Sequence, residues 1–86
     1  MLRRIGYALH YTNLKNLVVK LSQVPPLYIT IYTYTMKKVG TLYDVIGNVE
    51  EPYGLVKPVA MDSSIVGQAI YINEADVRKK RRRGGP

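Results

Sequence analysis

Residues 38–58 read KVGTLYDVIGNVEEPYGLVKP, and this stretch decides the fold class. Val39 to Ile46 or Val49 is rich in β-branched and aromatic residues, types that fit a pleated, half-buried surface. Gly47 and Pro52 then break the run, because glycine supplies unusual backbone angles and proline fixes φ. Tyr53 to Val59 resumes it. Neither half has sustained apolar spacing at i, i+3, i+4 and i+7, so the reading is strand, turn and returning strand. A domain of this size can enclose only some of the apolar side chains Val39, Leu42, Val45, Ile46, Val49, Pro52, Tyr53, Leu55 and Val56. Any remainder would form an exposed patch of the kind that marks protein–protein surfaces; the plainer alternative is barrel core plus scattered surface apolars.

The same pattern extends outward. Val, Ile, Thr and Tyr make up 30 of 86 residues, and Tyr supplies every aromatic ring. Further strands are predicted over Ile5–Tyr11, Leu17–Leu21, Leu27–Thr35 and Gln68–Ile72. Pro25-Pro26 separates the second from the third, since proline cannot donate to a ladder. Six short strands with no crossover helices point to an all-β fold, a small six-stranded antiparallel barrel, and closure removes exposed edges. Asn73 is placed to cap a short helix through Val77, with acids in its first turn. The like charges beyond about Arg78 oppose its continuation, so residues 1–77 are expected to form the barrel domain and 78–86 a basic, disordered tail.

Composition narrows the chemistry. The length fits one domain. Zero Cys excludes disulfides, thiolate metal sites and thiol nucleophiles, and one His excludes a multi-histidine zinc site. No apolar run of about 18 residues is present and the start lacks a signal-peptide pattern, so no membrane association and a cytoplasmic location are expected. The formal charge of +7 is unevenly placed. Between Ile5 and Val77 five lysines face six acids, so the folded middle carries a formal −1 and the basic character belongs to the ends.

Candidate catalytic groups are few. His10 sits in a strand with no Ser or Cys beside it, and a structural or surface role is expected. Glu50-Glu51 before Pro52 read as a solvated turn, Asp44 as exposed or backbone-bonded, and Asp62-Ser63-Ser64 as turn chemistry. None of the glycines opens a helix, so no phosphate-binding loop is expected. The reading is a non-enzyme without cofactors or metal. The run Arg78, Lys79, Lys80, Arg81, Arg82 and Arg83 is either a solvating tail or a contact for RNA phosphates.

The central segment resembles the GAR-protein family, the small β-barrel subunit of archaeal-type H/ACA ribonucleoproteins. The likeness rests on Val39-Gly40, Asp44-Val45, Gly47, Val49, Pro52-Tyr53 and Val56-Lys57-Pro58. Ile5-Gly6, Asn16-Leu17-Val18-Val19 and Pro25-Pro26 add to it, and it spans roughly residues 3–72. The resemblance implies a split barrel like that of reductases and translation elongation factors. It further implies binding to the catalytic domain of the H/ACA pseudouridine synthase, with assistance to substrate loading and product release during rRNA modification. Guide RNA and rRNA would be contacted mainly indirectly, or through the tail. Carried over by position, Gly47, Val49, Pro52, Tyr53 and Val56 form the expected partner-binding set, while Val39, Gly40 and Val45 fall to the core. Asn48 stands where the family often has proline, and the chain has one Arg-Gly-Gly instead of long repeats, so repeat-dependent RNA binding does not transfer. A stand-alone RNA-binding barrel, using tyrosine stacking and the tail, is the alternative from another class.

Overall fold

The computed structural model describes residues 1–48 and 50–83, with side chains as far as Arg78. Six strands run β1 (Leu2–Tyr11), β2 (Leu17–Leu21), β3 (Thr30–Tyr32), β4 (Lys38–Gly47), β5 (Pro52–Pro58) and β6 (Ala69–Asn73). They close into a barrel in the order β1-β2-β5-β4-β3-β6, and every neighbouring pair is antiparallel. The expected six-stranded antiparallel barrel is therefore present. Its thinnest seam is β3–β6, where Tyr32 opposite Tyr71 is the paired position.

The interior is filled by Ile5, Leu17, Val19, Ile29, Ile31, Leu42, Val56, Ile70 and Ile72, with Ala8 and Val39 among them. A six-stranded barrel has a narrow lumen, and Ile, Leu and Val fill it without Phe or Trp. The two long strands bend to serve two neighbours each. β1 shifts register between Ala8 and His10 and between Arg4 and Gly6, and β4 shifts between Leu42 and Asp44. Such bulges add twist and curvature, which closure of a small barrel requires.

The third strand is shorter than the sequence leads one to expect. Tyr28 at φ 65 and Met36 at φ 67 take left-handed backbone angles on either side of it, which ends regular pairing. Ile29, Ile31 and Thr33 point inward, and Tyr34 points out. At the C-terminal end Asn73 caps the helix α1 (Glu74–Arg83), its Oδ1 accepting the Ala75 N–H at 2.9 Å. Val77 packs into the base of the core. The backbone is helical as far as Arg83, beyond the expected break at Arg78. Glu74 and Asp76 in the first turn oppose the helix dipole, and Lys and Arg are good helix formers, which offsets their mutual repulsion.

Candidate functional site on the outer face of the barrel

The returning strand after the central turn alternates strictly. Pro52, Gly54 and Val56 point inward, while Tyr53 and Leu55 are half-buried and Lys57 is exposed on the outside. Antiparallel pairing extends these positions sideways. Tyr53 lies opposite Lys20 on β2 and Ile46 on β4, and Lys20 lies opposite Tyr7 on β1. A parallel row places Leu55 between Val18 and Asp44, with His10 beyond Val18. Directly opposed residues share a face, so Tyr7, Val18, Ile46, Tyr53 and Leu55 form one apolar and aromatic outer surface. Ile46 is 45% and Tyr7 40% exposed.

Polar contacts fix the middle of this surface. The Lys20 ammonium sits 4.7 Å from the Tyr53 ring centroid and donates to the Tyr53 hydroxyl at 3.4 Å. It also pairs with Glu51 at 3.4 Å. The Tyr53 hydrogen bond, followed by Glu51, raises the Lys20 pKa above the ordinary lysine value against the opposing effect of burial. Two local features hold the ends of the turn. Gly47 at φ 92 occupies the left-handed region, and a Cβ there would lie 2.8 Å from the Glu51 carbonyl oxygen. Asn48 Oδ1 accepts the Glu51 N–H at 2.8 Å, closing the turn with a side chain.

Of the expected partner-binding residues, the structure brings Gly47 and Tyr53 to the outside of this hairpin end, whereas Pro52, paired with Gly47, is a correction: it is buried and points inward. Val49 lies outside the described residues. Val56 is a correction: it is fully buried in the barrel and cannot face a partner. Residues three apart on one strand point to opposite faces, so Tyr53 and Val56 cannot share a surface. That alternation was the signal for Leu55, which the sequence reading passed over, along with Val18, Ile46, Tyr7 and Lys20. Arg78 is exposed; the side chains of Lys79, Lys80, Arg81, Arg82 and Arg83 lie outside the described residues. Val39 and Gly40 are buried as expected, and Val45 packs partly against the core.

The remaining polar residues behave as local structure. His10 is exposed on β1. Asp44 Oδ1 accepts the Val45 N–H at 2.8 Å beside the β4 bulge. Asp62 caps a 3-10 turn over Ser63–Ile65, accepting from Ser64 N–H at 3.0 Å and Ser64 Oγ at 2.6 Å and pairing with Lys37 at 3.1 Å. Those contacts, Ser64 first and Lys37 next, lower its pKa to about 2. Among the described residues no group of three or more His, Cys, Asp or Glu side chains could hold a metal ion. No described helix is long and apolar enough to cross a membrane. No protein-family model and no curated protein matches this sequence.

Proposed function

We propose that this chain is a non-catalytic subunit of a box H/ACA guide-RNA pseudouridylation complex in the cytoplasm of an archaeal-type cell. It binds the catalytic domain of the pseudouridine synthase and assists substrate loading and product release. The observation that carries the reading is the outer surface around Tyr53. The segment that resembles the GAR-protein family forms the β4–β5 hairpin, and that hairpin presents Tyr53, Leu55 and Ile46 outward. An aromatic anchor on a strand paired on both sides suits protein recognition, because little ordering is needed on binding. The basic residues of α1 add a contact to RNA already held in the complex.

Co-purification of the full chain with an archaeal H/ACA pseudouridine synthase tests this. Retention of the wild type and loss with Tyr53→Ala combined with Ile46→Asp is the expected result. Ile46 and Tyr53 are cross-strand partners on the outside, so the pair alters the surface and spares the core. Full retention by the double variant would remove this surface as the docking site.

A further inference from the structure

A cleft of about 470 Å³ opens at the other end of the β4–β5 ladder, lined by Asn16, Tyr28, Thr41, Tyr43 and Lys57. It lies at the Thr41–Lys57 pair, roughly 16 Å along β4 from Ile46 at ~3.3 Å per residue, and adjoins the surface around Tyr53 where Lys57 follows Leu55 on the outer face. Tyr43 is the extra residue of the β4 bulge, a device that re-aims a side chain, and it contributes one wall. Tyr28, 64% exposed, contributes another from the chain leading into β3, where its N–H bonds the Leu42 carbonyl beside the bulge.

The cations here have no carboxylate partner among the described residues, a property they share with Arg4 and Lys38 elsewhere on the barrel. Lys20 and Lys37 are paired with Glu51 and Asp62. Lys57, and Lys15 beside Asn16, have no carboxylate partner among the described residues. A second cleft of about 260 Å³ shares Asn16 and Lys57 with the first and adds Lys15, Pro58 and Met61. No acid lines either cleft, although the folded middle has a formal charge of −1. The side-chain amide of Asn16 and the hydroxyls of Thr41 and Tyr43 make no hydrogen bond among the described residues, unlike the Tyr11, Asp62 and Ser64 cluster. Partly exposed, these groups are able to bond a ligand.

We infer that the Tyr28–Tyr43 cleft binds an unpaired nucleotide of a single strand. A tyrosine ring offers a stacking face to any base. Lys57 and Lys15 neutralise the phosphates, and the Asn16 amide meets the base edge with one donor group and one acceptor. The continuation through Asn16 and Lys57 to Lys15 makes a track longer than one nucleotide, which selects a strand over a free mononucleotide. A duplex, whose bases are stacked, does not fit this chemistry. This inference stands apart from the synthase reading, since it uses other residues and needs no protein partner.

Titrating the full, isotope-labelled chain with hexauridylate, a duplex of equal length and UMP tests it. Amide shifts at Asn16, Thr41, Tyr43 and Lys57 with the single strand are expected, and none there with the duplex. Tyr43→Ala should weaken the hexamer about 5- to 160-fold, the range for loss of one stacked base. Lys57→Gln should reduce the log–log salt slope by about 0.7, and it alters an exposed side chain without touching the core. Tyr34→Ala, at 75% exposure near the β3–β6 seam, should change nothing. Shifts confined to the basic helix, or unchanged affinity in both the Tyr43 and Lys57 variants, would overturn the site. UMP binding as tightly as the hexamer would overturn the strand assignment.

Discussion

A methyl group on Gly54 would lie 2.7 Å from Leu42 Cδ1 and 2.9 Å from Val19 Cγ2. Both neighbours are fully buried, so they can shift only by disturbing the packing around them. Gly54→Ala should therefore destabilise the barrel by about 1–3 kcal/mol, the usual range for overpacking a filled core. Gly40→Ala should cost more, because its Cβ would meet the backbone Lys57 oxygen at 2.2 Å and force β4 from β5. Chemical denaturation of the two variants checks the ranking, and equal midpoints would contradict it. The seven-residue spacing of Gly40, Gly47 and Gly54 thus has no single cause. Gly40 and Gly54 are where a side chain will not fit, whereas Gly47 also needs its left-handed turn angle. The sequence shows the spacing and cannot separate these reasons, since they depend on which strand passes behind each glycine.

Among the elements, legibility followed locality. β2 was readable residue for residue, because Leu17, Val19 and Leu21 alternate inward without interruption. The β3 region was read too long, since Tyr28 and Met36 leave the β region for reasons of chain path that composition does not record. The hairpin was readable as a hairpin, but only its register with β2 shows that Lys20 covers Tyr53. The loop between β5 and β6 was legible as Asp-Ser-Ser turn chemistry, and it carries a pH-dependent contribution. The Asp62 carboxylate ties the 3-10 turn to Lys37, and its pKa is lowered from 3.8 to about 2. The folded state therefore binds this proton less readily than the unfolded chain. The contribution is present above about pH 4 and fades as pH falls toward 2. Asp62→Asn should lower the melting temperature at pH 6, and the gap from wild type should narrow steadily below pH 4. A constant gap down to pH 2 would show that the carboxylate charge is not what stabilises the turn.

At the scale of the whole molecule, charge and core divide the chain at nearly the same place. Among the described residues every member of the hydrophobic core lies at or before Val77, and six of the thirteen basic residues lie between Arg78 and Arg83. The helix is joined to the barrel by its first turn. Val77 enters the core, the Glu74 N–H donates to the Met1 carbonyl at 3.0 Å, and Arg3 pairs with Glu74 at 3.4 Å. An exposed pair of this kind adds little stability, so burial of Val77 is the stronger tether. Removing residues 78–86 should then leave the barrel folded, with a melting temperature within a few degrees of the full chain. Capture of the synthase should be unchanged, because the surface around Tyr53 is intact. RNA binding should change in a specific way. If all six cations contact phosphates, the log–log salt slope should fall in magnitude by about 4, while a weaker affinity persists through the Tyr28–Tyr43 cleft. Loss of synthase capture on truncation would place partner recognition in the helix. Complete loss of RNA binding would leave the cleft without a part in it. Retention of the full slope would show that the basic helix does not engage the phosphates.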